Sequence, residues 1–445
     1  MRKKFGARWL AVLISAIPVI AQTGPLTLEE CVAMALKSSP LIEAAKEKLG
    51  EFDAAVDEAS AARKPSFAAQ ASYTRVIPTP ETSIPVDLDP ATYQVISNGY
   101  RLGPDRFNVS LTATQPLYDG GRIKNAVKIP QHGRAAAEWQ RMSVIREIRR
   151  DVTKAYYQAL VANKNVAALD SAIALVEEML QDLSNAVKGG VRNEHERLQA
   201  QMQLANQKLT RQQAATNSLM AHNYLAALTG IPAGTRITLV DELRPPESFT
   251  APQLQALQAQ AREASTDIKS LLEQIKLIET SMLITGAANR PAVYAAAGYS
   301  GSGATDGELK ESGKWTNDGT LSLVAQWNIY DFGSADSKKR QSRSQMRQLE
   351  LTMDNIRVNL DMMVENNAAL LQDAFESIEA GKSNIEQTKR SYEILHGIFN
   401  EGMLLPSELL NAQSLTLQAE MSYYEALSNF YTAQAELDYL VNVEN

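Results

Sequence analysis

The chain has 445 residues, 44 Lys and Arg against 51 Asp and Glu, a formal net charge of −7, and a single cysteine. That acidic balance argues against nucleic acid as a partner, because such binding is dominated by basic contacts to phosphate. One cysteine excludes an intrachain disulfide, and the length alone predicts two or three domains.

Residues 1–21 read as a secretory signal. Arg2, Lys3, Lys4 and Arg8 form a basic region, 9–20 is apolar, and Val19-Ile20-Ala21 offers small residues for cleavage before Gln22. An uncleaved anchor helix needs about 20 apolar residues, which this run lacks. No later stretch reads as long enough either. Without the four basic residues of the signal, 40 basic residues face 51 acidic ones, a net charge of −11. Cys31 lies ten residues past the cleavage site, so it is not a lipidation cysteine. It reads as a small core residue on a helix.

Residues 26–64 predict a helix interrupted at Ser38-Ser39-Pro40, since proline removes a donor and clashes with the preceding turn. Pro65 ends it. Phe67, Ala69, Ala71 and Tyr73 then alternate with polar or small residues, the period of a strand. Residues 77–104, rich in Pro, Asp, Thr and Gly, read as a long exposed loop. A second alternation carries Phe107, Val109, Leu111 and Ala113 on one face. After Asp119-Gly120-Gly121 the pattern is helical almost to Lys188. Val152, Ala159, Val166, Ile173, Leu180 and Val187 recur every seven residues, and Ala155, Ala162, Leu169, Val176 and Leu183 lie three further on. This heptad seam imposes a left-handed supercoil. Gly189-Gly190 breaks it, and a return helix covers about 194–228. Residues 231–252 form a proline-rich junction with one short strand candidate at 236–240.

The second half repeats the first. Gln115-Pro116-Leu117-Tyr118-Asp119-Gly120-Gly121-Arg122 has its copy in Trp327-Asn328-Ile329-Tyr330-Asp331-Phe332-Gly333-Ser334, 212 residues on. At the same offset Gly190 falls on Gly402 and Glu196 on Glu408; Pro65 falls on Pro291 at an offset of 226. A helix over 253–289, strands near 291–301 and 315–330, a shorter loop over 301–313, a heptad helix carrying Val364, Leu371, Ile378, Ile385, Tyr392 and Phe399, and a return helix from Pro406 follow. The chain is an internal duplication, divided into the signal (1–21), a first repeat (22–230), a junction (231–252) and a second repeat (253–445).

Each half is thus helix, strand, loop, strand, long helix, turn, helix. Four strands of about 9–11 residues suit a membrane barrel, with Tyr73, Tyr118, Tyr299, Trp315, Trp327 and Tyr330 towards their ends as an aromatic girdle. A water-facing four-stranded sheet packed on helices fits the strands equally well. The signal and the very long helices favour the membrane. Four strands cannot close a barrel, and an open edge in lipid leaves backbone groups unpaired, so copies must share one. Two copies give about eight strands and a filled interior, three about twelve and a lumen. A helix over 121–188 rises on the order of 100 Å.

Three features carry a family resemblance: Leu26-Thr27-Leu28-Glu29-Glu30-Cys31-Val32-Ala33-Met34-Ala35-Leu36, the Tyr118-Asp119-Gly120-Gly121-Arg122 stretch with its copy, and the glycine turns at Gly190 and Gly402. Together they resemble the TolC-like outer-membrane efflux proteins. The resemblance implies a mainly α fold with a membrane β-barrel part. In that fold a trimer closes twelve strands in the outer membrane, four per chain, continued by a long coiled-coil barrel in the periplasm. It implies as partners outer-membrane lipid, a periplasmic adaptor (membrane fusion) protein and an inner-membrane pump of RND, ABC or MFS type. The adaptor contact would fall at Gly190-Val191 and Gly402-Met403, and an acidic periplasmic constriction at Glu408, with Asn411 and Glu196 at related positions. The local alternative is helix capping: Asn193-x-x-Glu196 fits a capping box, and Glu408 follows Pro406 at a helix start. Both roles are compatible.

No catalytic constellation or cofactor motif is present. His132, His195, His222 and His396 are scattered without metal spacing and read as mostly solvated. Gly307 to Gly313-Lys314 has five residues between glycines where a phosphate loop needs four, and Trp315 where Ser or Thr should follow. The expected function is a passive exit duct driven by a partner pump. A secreted coiled-coil structural or adhesive protein is the alternative; a periplasmic adaptor fits the duplicated plan less well.

Overall fold

The structure is a computed structural model and describes residues 25–78, 81–88, 95–101, 104–232, 234–235, 237–246, 253–305 and 314–441. The proposed signal and the Gly307-to-Gly313 stretch lie outside them. In chain order the elements are α1 (Leu28–Ser38), α2 (Pro40–Ala61), β1 (Ser66–Arg75), β2 (Glu81–Leu88), β3 (Val95–Arg101), β4 (Asp105–Tyr118), α3 (Arg122–Lys188) and α4 (Glu194–Thr229). The second half contributes α5 (Leu254–Ala264), α6 (Thr266–Ala287), β5 (Ala292–Ala304), β6 (Thr316–Gln326), α7 (Ser334–Asn400) and α8 (Pro406–Val441).

The duplication is visible in the element bounds. Both ends of α5 and of α6 lie 226 residues beyond those of α1 and α2 (254 − 28, 287 − 61), and both ends of α7 and α8 lie 212 beyond those of α3 and α4 (334 − 122, 441 − 229). Side-chain bonds repeat as well. Gln115 Nε2 donates to the Arg63 carbonyl at 3.0 Å, and at the equivalent place Trp327 Nε1 donates to the Asn289 carbonyl at 3.0 Å.

Four expectations about the elements themselves are corrected. The stretch 77–104 is not all loop: β2 and β3 pair antiparallel within it. Pro85 adjoins a register shift there, the place where a strand tolerates a residue without N–H. The helix expected over 253–289 divides at Ser265, whose backbone is non-helical and whose hydroxyl accepts from the Ile268 N–H. The break is made by a capping serine rather than a proline. The candidate strand at 236–240 amounts to one parallel bridge, Leu26 with Leu239. β6 stops at Gln326, four residues short of the expected end.

The chain divides into two compact units. The helical unit comprises residues up to 39, 148–251 and 367–437. Its core runs along α3, where Val152, Ala155, Ala159, Leu169, Val176 and Leu183 are buried. Of the expected heptad seam, one row is buried throughout its far half, whereas Val166, Ile173, Leu180 and Val187 are only half-buried. Ala172 and Met179 take their place in the core. Towards the helix ends Val176, Met179, Leu183, Ala200, Phe399, Leu409 and Leu410 form one cluster, each large side chain contributing about 1.5–3 kcal/mol. One 18-residue window of α3 is apolar enough to span a membrane by length and composition, which corrects the expectation that none exists. Of that window 39% is buried. Cys31 is buried as well, and burial pushes its thiol up to about 11.

The second unit comprises 40–147, 252–366 and 438–445. It holds an antiparallel sheet of order β1-β4-β5-β6. Arg134 on α3 pairs with Asp53 on α2 at 2.6 Å, and Lys269 on α6 lies over the Trp139 ring. His132 is half-buried rather than solvated, its Nδ1 2.9 Å from Glu273 Oε2.

Candidate membrane sheet and hairpin tips

Paired residues in antiparallel strands project to the same face, so the register sorts the sheet into two surfaces. One row reads Phe67, Ala113, Ala297, Leu321; the next reads Ala69, Leu111, Tyr299, Gly319; a third reads Ala71, Val109, Gly301, Asn317. This face is apolar and bare: Phe67 is 74% exposed and Leu321 86%. The other face carries rows such as Ser66, Thr114, Ala296, Ser322 and Ser72, Asn108, Ser302, Thr316. A sheet packed on helices would bury the apolar side. This one leaves both largely open, and its outer strands β1 and β6 are exposed along their whole length.

The aromatic positions fall into two groups and one exception. Tyr73 sits near the β1 terminus with its ring 5.3 Å from that of Phe107 and its hydroxyl 2.7 Å from Asp105. Trp315 precedes β6 at that same end, its ring against Gly301 and Gly303. Tyr118 closes β4 at the opposite end, next to α3. Trp327 and Tyr330 lie past the end of β6, before α7. Tyr299 differs from expectation: it pairs with Leu111 and Gly319 in mid-sheet, not at a strand end.

The repeated motif caps the long helices, a role the sequence reading missed. Asp119 accepts from the N–H groups of Gly121 and Ile123, and Asp331 from those of Gly333 and Ala335. An aspartate three residues before each helix was the available signal. The N–H bonds, led by that from Ala335, hold the Asp331 carboxyl below its ordinary range.

At the other ends of these helices both hairpins turn identically. The Gly190 N–H bonds the Val187 carbonyl at 3.0 Å and the Val191 N–H bonds Ala186 at 2.9 Å. Gly402 to Phe399 and Met403 to Ile398 repeat this at 2.9 and 3.2 Å. Gly190 and Gly402 have φ of 72° and 77°, the left-handed conformation that this double bond requires. Val191 and Met403, next in each chain, are exposed.

Asn193 caps α4 by accepting from His195 N–H at 3.1 Å, but Glu196 does not complete a capping box. Its carboxylate meets Arg192 at 3.5 Å, both side chains being largely buried. Arg192 also donates to the Leu404 carbonyl at 3.1 Å and lies over the Phe399 ring, tying the first hairpin to the second. Glu408 and Asn411, three apart on α8, are exposed. Among the described residues no His, Cys, Asp and Glu cluster could hold a metal.

The sequence matches the outer membrane efflux protein family over residues 31–231 and again over 253–443. The chain therefore belongs to that family, and the two matched stretches are the two repeats. Its fold is that of VceC from Vibrio cholerae (TM-score 0.71, 16% identity, 93% of this chain and 95% of that one). CmeC of Campylobacter jejuni (0.68, 15%, 93% and 85%) and the open state of MtrE from Neisseria gonorrhoeae (0.72, 16%, 93% and 88%) are similar in fold as well. No curated protein matches the chain. The family's members are outer-membrane exit ducts of tripartite systems, channels rather than enzymes, and work as trimers with an adaptor and a pump. This chain is such a duct.

Proposed function

We propose that three copies close their sheets into one twelve-stranded barrel, with the apolar face towards outer-membrane lipid and the Ser- and Thr-rich face towards the lumen. The carrying observation is the bare apolar face between two unpaired edges. In the order β1-β4-β5-β6, β6 runs opposite to β1, so β6 of one copy meets β1 of the next antiparallel and all edges vanish. Tyr73 and Trp315 mark one membrane interface, and Tyr118, Trp327 and Tyr330 the other, with Tyr299 in the lipid between them.

The exposed turns Gly190-Val191 and Gly402-Met403 meet the periplasmic adaptor, whose pump is of the RND, ABC or MFS class. Glu408, with Asn411 on the same face, forms the periplasmic constriction, while Glu196 serves Arg192 instead.

Planar-bilayer recording of the detergent-extracted trimer tests both parts. Channels should appear, and Glu408→Gln should lower the preference for cations. A conducting Glu408→Gln variant with unchanged selectivity removes Glu408 from the constriction; a water-soluble monomer that carries no current removes the duct.

A further inference from the structure

The polar face of the sheet carries few charges. Among the described strand residues, those projecting to that face are Ser66, Gln70, Ser72, Thr74 and their like, and the pairing register admits two charged ones. Arg106 stands opposite Thr74 and Ala304; Asp318 stands in the row of Gln70, Ser110 and Ser300. Both are exposed. The four residues from Arg106 to Ser110 set the two charges about 13 Å apart along the strand.

We infer that this face is an electrically balanced hydroxyl wall, in which Arg106 and Asp318 cancel each other's field, so that the barrel section takes water-soluble solutes irrespective of their charge. The inference rests on the reading of the chain as a duct with this face lumenal. In three copies, three guanidinium groups face three carboxylates across that interval. At about 10 mM salt the screening length is roughly 30 Å, longer than the separation, so the two rings act as one neutral band. Hydroxyl and amide groups then offer hydrogen bonds to passing solutes without selecting a sign.

The reversal potential of the full-length trimer across a KCl gradient, with the dilute side near 10 mM, tests the balance. Asp318→Asn should shift the permeability ratio towards anions by about twofold or more, and Arg106→Gln towards cations by a similar factor. The double variant should return to the wild-type ratio. Single variants that leave the ratio unchanged, or a double variant that retains either shift, overturn the inference.

Facing is checked separately. The sole cysteine, Cys31, is buried, so Thr320→Cys and Leu321→Cys can be modified with a charged thiol reagent in the native background. Conductance should change for Thr320→Cys alone; a response at Leu321→Cys alone overturns the assignment of faces. Wild-type trimers that insert but carry no current overturn the duct reading itself, an outcome distinct from a conducting channel with unbalanced charges.

Discussion

Asp119 and Asp331 each satisfy two of the N–H groups that a helix leaves without partners at its start. Asp119→Ala should cost about 1 kcal/mol of stability, as loss of an N-cap does, read from denaturant unfolding of the purified protein. For Asp331 the bonds lower the folded pKa beneath its ordinary 3.8. Its stabilisation is therefore complete above that ordinary value and is lost as pH falls through the lower folded one. Melting temperatures between pH 7 and pH 2 should show that acid-side decline weakened in Asp331→Asn. The motif itself was legible as a repeated string. Its capping role rests on side-chain bonds to N–H groups, which the string alone does not display. Phe332, where the first repeat has Gly120, adopts a φ of 53°; the repeat thus keeps a backbone shape even where the favoured residue is gone.

Two long helices and two return helices end in turns that differ in sequence and agree in hydrogen bonding. The glycines predicted those turns, since a left-handed residue is required there. Gly402→Ala should destabilise its hairpin by about 1–2 kcal/mol, visible as faster amide exchange around residues 398–403. The Arg192 link was not legible. Sequence proximity paired Glu196 with Asn193 as a capping box, whereas packing placed Arg192 between Glu196 and the carbonyl of Leu404, 212 residues away. Arg192→Ala should speed amide exchange in both hairpin tips at once. An effect confined to residues near 192 would show that the link holds nothing. Pattern also failed at Ser265, where a cap rather than a proline stops α5, and in β2 and β3, where proline-rich composition resembled a loop.

At the scale of the whole molecule the sheet is incomplete by itself. Its apolar face is exposed and its edges are free, an arrangement that water would not stabilise. Leu321→Arg, on that face, should weaken membrane insertion by about 2–4 kcal/mol if it lies near the bilayer midplane. Thr320→Arg, one residue along on the polar face, should insert normally. The two can be compared by the fraction that reaches heat-resistant trimer in detergent after refolding into vesicles. Equal yields would contradict the two-faced reading.

Periodicity, duplication and turn chemistry are written along the chain, so the strands of the sheet, the long helices, the repeat offsets and the glycine tips could be read from it directly. Which heptad flank is buried, which residue Glu196 meets, and that Tyr299 lies in mid-sheet were decided only by tertiary structure. Each depends on register between segments far apart in the chain, and period alone does not fix register.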